Sequence, residues 1–205
     1  KSDYRINLCK DRNYLFDKRM FIAYLCHIKQ NKQNIKSQKQ KHYEYFKLIA
    51  FGREKSKRTS LRHYIFYWLD FQIHYTNLRG FHWDIKGHGF FVLHSKFEDL
   101  YNDTAEKIDE IAERILTLGS VPSNKFSDYL KVARIKEISG VTCGSEAVEH
   151  ILSTYGHLIG EERKVLDLAA EAGDEVTVSL MSDYLKEQEK MVWMLTAFSS
   201  KTCGK

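Results

Sequence analysis

The sequence predicts an all-α protein, a four-helix bundle with a short helix in its central connection. Three observations lead there. Proline occurs once in 205 residues, against a usual share of ~5%, so little interrupts long helices. Beyond position 59 the apolar residues recur with helical period, and no strand-like alternation or internal repeat competes. Glycines and capping residues then punctuate this stretch at the intervals expected of long helices. With 43% apolar residues the chain can build a core, which excludes a wholly disordered protein.

The first helix is expected from Ser60, a good N-cap, to about Ile85, ahead of Gly87 and Gly89. The second runs from Phe90 to Leu118 and stops at Gly119, with Pro122 just beyond. Residues 124–137 read as a connector holding a short helix near Phe126 to Leu130. The third helix runs from Ser145, another N-cap, to Ala172, where Gly173 ends it, and the fourth from Asp174 to about Phe198. Residues 60–205 thus form the bundle domain.

The net charge of +5 averages over two opposite segments. Residues 1–62 carry 17 Lys/Arg against 5 Asp/Glu, a net +12, whereas residues 63–205 carry 15 against 22, a net −7. The first is rich in Lys, Asn, Gln and Tyr, a composition that cannot bury enough surface to offset its ordering entropy. Residues 1–59 are therefore read as a basic, disordered N-terminal extension. The start at Lys1 also admits, as the lesser alternative, a misplaced start or a shifted reading frame for that extension. Two apolar islands within it, residues 20–28 and 43–51, are too short to span a bilayer, so neither a membrane anchor nor a signal peptide is expected. Cys9, Cys26, Cys143 and Cys203 make no close-spaced pair and no zinc spacing, which points to a reducing compartment.

The second helix carries the chemistry. On a wheel of ~100° per residue, Leu93, Phe97, Leu100, Thr104, Ile108, Ile111 and Ile115 form the core stripe. Lys96, Asp99, Asp103, Glu106, Lys107, Glu110 and Arg114 form a charged face read as solvent-facing. A third arc holds His94, Glu98, Asp109 and Glu113. An amphipathic helix needs two faces, so the third requires a reason. Singly, each residue has an ordinary explanation: a packing histidine, or an acid pair on a solvated surface. Their common arc, apart from the charged face, is what suggests a metal site.

His94 and Glu98 are i, i+4 neighbours, as are Asp109 and Glu113, so each pair can turn toward one ion. Imidazole with carboxylates and no thiolate suits iron or manganese. Yet His94 and Asp109 lie fifteen residues apart, ~22 Å along a helix at ~1.5 Å per residue. Two copies of the helix, antiparallel about a twofold axis, would bring the first pair of one subunit to the second pair of its partner. The spacing predicts a centre shared across a dimer interface. His82, twelve residues before His94 between Phe81 and Trp83, is by itself ambiguous.

The runs Asn77-Leu78-Arg79-Gly80-Phe81-His82-Trp83-Asp84-Ile85-Lys86-Gly87, Phe90-Phe91-Val92-Leu93-His94 and Asp109-Glu110-Ile111-Ala112-Glu113-Arg114 resemble the Dps family, the miniferritins or DNA-binding proteins from starved cells. The likeness extends from about Asp70 to Ser200. It implies a ferritin-like bundle assembled into a shell of twelve subunits in the bacterial cytoplasm or nucleoid. Fe(II) would be oxidised there, preferentially by hydrogen peroxide, at centres of two irons each, and stored as ferric mineral. The family motif maps its ligands onto His82, His94 and Glu98 of one subunit and Asp109 and Glu113 of the other. Many members have Asp where this chain has Glu98, which bears on the weaker iron position. The resemblance also makes Trp83 and Trp193 candidates for intercepting stray oxidising equivalents, against their reading as core aromatics. Glu171, Asp174 and Glu175 become candidates for lining a pore where three subunits meet.

Some members of that family bind DNA through lysine-rich extensions. The bundle here is net negative and would repel DNA, while twelve copies of the +12 segment would reverse this. Three readings follow: a peroxide-consuming ferroxidase and iron store, a non-specific nucleoid-packing protein with weak or no ferroxidase activity, or a bundle with an interaction role only. No membrane partner is expected.

Overall fold

The computed structural model describes residues 54–200, with side chains from residue 60 onward. The extension expected over residues 1–59 lies outside the described residues as far as position 53. The described helices are α1 (Glu54–Asp84), α2 (Phe90–Thr117), α3 (Phe126–Val132), α4 (Gly144–Ala172) and α5 (Glu175–Ser199). Four long helices, with α3 in the connection between α2 and α4, make the four-helix bundle that the sequence predicts.

Two starts differ from expectation. α1 begins at Glu54, so Ser60 is a buried interior residue and not its N-cap. Residues 54–59 include Glu, Lys and Arg, good helix formers that the charge-based reading had grouped with the extension. α4 begins at Gly144 with Cys143 in the capping position, and the Ser145 hydroxyl meets Cys143 Sγ at 3.1 Å. Ser145 therefore sits just inside the helix and does not cap it. Asp174 does cap α5, accepting a hydrogen bond from Thr177 N at 3.1 Å. Gly173 before it adopts φ 71°, a left-handed conformation that costs glycine little, and Asp174 N closes on Ala169 O at 2.9 Å.

Burial on α2 falls at Leu93, Phe97, Leu100, Thr104, Lys107, Ile111 and Ile115, alternating by three and four as one face of a helix must. α1 supplies Tyr64, Tyr67, Trp68, Phe71, Leu78 and Phe81 to the same core. α4 adds Ile151, Tyr155, Leu158 and Val165, and α5 adds Met181, Tyr184 and Leu195. Each fully buried Leu, Ile or Phe contributes roughly 1.5–3 kcal/mol. α1 is the central element, packed against α2, α3 and α4, while α4 also packs along α5.

Long polar side chains bridge α2 to α5, and here the expected solvent face is corrected. Lys107 is buried, with its ammonium bonded to Asp103 and, at 2.8 Å, to Glu187, and lying 5.1 Å from the Tyr184 ring. Arg114 pairs with Asp174 and bonds Thr177 Oγ1 at 3.0 Å. Glu110 accepts from the Tyr184 hydroxyl at 2.6 Å. The connector after α3 is pinned by α1. Fully buried Asp70 accepts from the backbone N–H of Arg134 at 2.6 Å and of Ile135 at 3.3 Å, and pairs with the Arg134 guanidinium and His157. Two turns on, Asn77 donates to Lys136 O and accepts from Ile138 N.

Candidate metal centre

α1 ends and α2 begins at a tight turn in which Gly87 and Gly89 take φ 84° and 83°. That reversal brings His82, near the end of α1, against His94, in the second turn of α2. Their imidazoles stack at 3.7 Å between centroids and 18° between planes. Each ring also bonds the other residue's backbone: His82 Nδ1 to His94 O at 2.7 Å, and His94 Nδ1 to His82 O at 2.8 Å. A carbonyl only accepts, so each Nδ1 must carry the proton. In the neutral rings this places the lone pair on Nε2, the arrangement of a metal-binding imidazole. The reciprocal bonds orient both rings before any ion arrives.

Aromatic rings close this corner. Phe90 stacks on His94 at 4.9 Å, and Tyr101 stands edge-on to His82 at 5.3 Å. Glu98, exposed one turn beyond His94, accepts from the Tyr101 hydroxyl through Oε1 at 3.3 Å. One carboxylate oxygen is thus engaged, and Oε2 is the other potential donor to a cation. Tyr101 was missed in the sequence, although its wheel position between the core stripe and His94 marks it as a wall of this arc.

Asp109 and Glu113 lie farther along α2, both exposed. His82 and His94 are brought together within one chain, Glu98 is linked to His82 through Tyr101, and the second acidic pair is not brought to them. Among the described residues no three His, Cys, Asp or Glu side chains form a complete metal cage. The donor set nevertheless fits a hard, oxygen- and imidazole-seeking cation such as iron.

Other candidates divide. Trp83 and Trp193 are both exposed, which overturns the core-aromatic reading, and the Arg79 guanidinium covers the Trp83 ring at 4.7 Å. Asp174 is occupied as the α5 cap and by Arg114, whereas Glu171 and Glu175 are exposed. Cys143, the only cysteine among the described residues, is free and exposed.

A second polar cluster lies inside the bundle. Glu162 on α4 is fully buried, and its Oε1 accepts short hydrogen bonds from the Tyr67 hydroxyl and Gln188 Nε2. Burial pushes its carboxyl up to about 7, against the downward pull of those bonds and of Lys107 and Arg163. The same burial, with Glu162 beside it, drives the Tyr67 phenol well up, and burial pulls His74 down to about 3. Its sequence signal was the helical period of α4, since Ile151, Tyr155, Leu158 and Val165 put Glu162 on the core side.

The ferritin-like domain family model matches residues 72–202. A DNA protection during starvation protein of Porphyromonas gingivalis is 52% identical over 132 residues, covering 64% of this chain and 83% of that protein. DNA protection during starvation protein 2 of Bacillus anthracis is 40% identical over 129 residues, covering 63% and 88%. Among solved structures, a Dps protein from Vibrio cholerae, described as a member of a broad superfamily of ferritin-like diiron-carboxylate proteins, superposes with TM-score 0.70 at 44% identity. That superposition covers 71% of this chain and 92% of the other.

Proposed function

The chain belongs to the ferritin-like family, in its Dps branch, and on that premise we propose that it oxidises Fe(II) to Fe(III), preferentially with hydrogen peroxide, and stores the product as mineral. The observation that carries this reading is the reciprocal His82–His94 lock, which presents two oriented imidazoles, with the Glu98 carboxylate bonded to the Tyr101 ring that packs on His82. Carboxylate oxygens favour Fe(III) over Fe(II), so the site promotes electron loss. Two irons together supply both electrons that peroxide needs: 2 Fe(II) and H2O2 with two protons yield 2 Fe(III) and two waters.

We infer that the centre is completed by a second subunit, the first step toward a shell of twelve. Antiparallel pairing of α2 about a point between residues 103 and 104 sets His94 opposite Glu113 and Glu98 opposite Asp109. The same register sets Phe91 opposite Leu116, both exposed apolar residues on the arc of the candidate ligands. Half-buried Ala105 and Ala112 lie on that arc between them and permit close approach. Supporting the reading, then, is a single register that pairs donors with donors and apolar with apolar.

Anaerobic Fe(II) titration followed by peroxide tests it. Rapid oxidation of about two irons per peroxide is expected, lost in a His94→Ala/Asp109→Ala variant. Mixed His94→Ala and Asp109→Ala subunits should recover part of the activity, because some interfaces then hold an intact centre. Absence of a fast phase in the unaltered protein overturns the function, and failure of the mixture overturns the shared site.

The charge asymmetry favours a second activity, sequence-independent DNA binding through the basic extension over residues 1–59. Seventeen Lys/Arg in residues 1–62 against a net −7 over residues 63–205 give this its sign, and steep weakening with salt is expected. Removing residues 1–59 should abolish retardation of plasmid DNA at low salt; unchanged retardation rejects it.

A further inference from the structure

We propose that Tyr101 is a positioning residue of the iron site, whose hydroxyl fixes the Glu98 carboxylate so that one oxygen, Oε2, is presented to the metal. The proposal rests on the iron-binding reading above and adds to it a residue that is not itself a ligand.

Glu98 needs such a fixture. The two imidazoles are oriented by their reciprocal backbone bonds before an ion arrives. Glu98 is exposed, and a free glutamate at the surface samples many rotamers. Ordering it only when metal binds would subtract from the affinity. Tyr101 stands three residues on, on the neighbouring turn of α2, where side chains meet. Its hydroxyl donates to Glu98 Oε1 at 3.3 Å.

Tyr101 is in turn fixed from α1. Its ring stands edge-on to His82 at 5.3 Å and to Tyr75 at 6.2 Å, so it is bracketed by two residues of the facing helix. The Arg79 guanidinium lies over the Tyr75 ring at 5.3 Å and steadies it. Desolvation, and then the charge and hydrogen bond of Glu98, push the ionisation of the phenol up. It therefore stays protonated, and remains the donor, at neutral pH. A chain of contacts through Tyr75 and Tyr101 thus lets α1 place a ligand that belongs to α2.

The same bond sets how Glu98 binds. With Oε1 engaged by the phenol, Oε2 is the oxygen left for the cation, and the carboxylate serves as a one-oxygen ligand. Metal binding does not require the phenol to leave. A cation on Oε2 draws charge from the carboxylate, so the phenol's hydrogen bond weakens without breaking.

Anaerobic calorimetry with Fe(II) alone, on the assembled full-length protein, tests this. Tyr101→Phe removes the hydroxyl and keeps the ring on His82. It should weaken Fe(II) binding about three- to tenfold, the usual worth of one such bond. In a Glu98→Ala background the same change should cost nothing, because no carboxylate remains to be placed. With peroxide added, the half-saturating Fe(II) concentration should rise by the same factor while the rate at saturation holds. Unchanged affinity in Tyr101→Phe, or an equal loss in the Glu98→Ala background, would overturn the proposal and leave the iron-oxidising reading standing. Absence of Fe(II) binding by the unaltered protein would remove both. A second measurement needs no variant: in infrared difference spectra of the unaltered protein, a tyrosine band identified by ring deuteration should shift when Fe(II) binds. A difference spectrum without any tyrosine band would also overturn the proposal, even if the phenylalanine variant fails to fold.

Discussion

Glu162 is a carboxyl whose chemistry its surroundings alter strongly. Burial pushes its carboxyl up to about 7, against an ordinary 4.5. The folded state therefore holds a proton that the unfolded chain releases. Stability is full below the ordinary carboxylate range, falls as pH rises through 4.5 toward 7, and levels off above. At ~1.4 kcal/mol per pKa unit the loss is roughly 3 kcal/mol. Glu162→Gln keeps an acceptor for Tyr67 and Gln188 but cannot ionise. Denaturant midpoints measured from pH 5 to pH 8 should fall for the unaltered protein and stay nearly level for the variant; parallel curves would refute the assignment. His82 and His94 illustrate what a sequence can express at this scale. Their residue types and spacing were legible, whereas the exchanged backbone bonds that orient them depend on the turn through Gly87 and Gly89.

Helix ends and the α2 wheel show where element-level reasoning held and where it stopped. Asp174 does two things at once, capping α5 and pairing with Arg114 of α2. Asp174→Asn preserves a capping oxygen and loses the charge, while Asp174→Ala loses both. Urea unfolding should find the alanine variant the less stable of the two by about 1 kcal/mol. Asp70→Ala, which strips two connector N–H groups of their acceptor, should cost about 2–4 kcal/mol in the same measurement. The wheel identified the core stripe of α2 from its own period. It misplaced Lys107, which lies on the border of that stripe, because a wheel does not contain the neighbouring helix. Lys107 is buried since α5 brings Glu187 and Tyr184 over it. The start of α1 was misread for a related reason: net charge separates segments by composition, whereas a helix continues through charged residues that favour it.

At the scale of the whole molecule the exposed apolar residues of α2 gain their meaning. Phe91 is 85% exposed and Leu116 46%, an arrangement that costs free energy in water unless a partner covers them. Phe91→Asp should leave the helical content of the subunit unchanged while weakening its pairing. Burial of a phenylalanine is worth ~1.5–3 kcal/mol, and the twofold axis counts it twice, so dissociation should strengthen by on the order of a hundredfold or more. Sedimentation velocity with circular dichroism measures both effects. An unchanged association state would place the interface elsewhere. Iron oxidation should fall together with association, because each proposed centre draws Asp109 and Glu113 from the second subunit.

The sequence by itself determined the four long helices, the acidic bundle behind a basic N-terminal segment, and the arc on α2 that holds His94, Glu98, Asp109 and Glu113. Each of these is a property of one segment, readable from period, composition or spacing along a single helix. Only the tertiary structure decided what lies across from that arc: His82 stacked on His94, Tyr101 against His82 and Glu98, and Glu162 closed within the bundle. The physical reason is register. Helical periodicity fixes which residues share a face, but the turn angles and core packing fix which face, and which atom on it, another helix will meet.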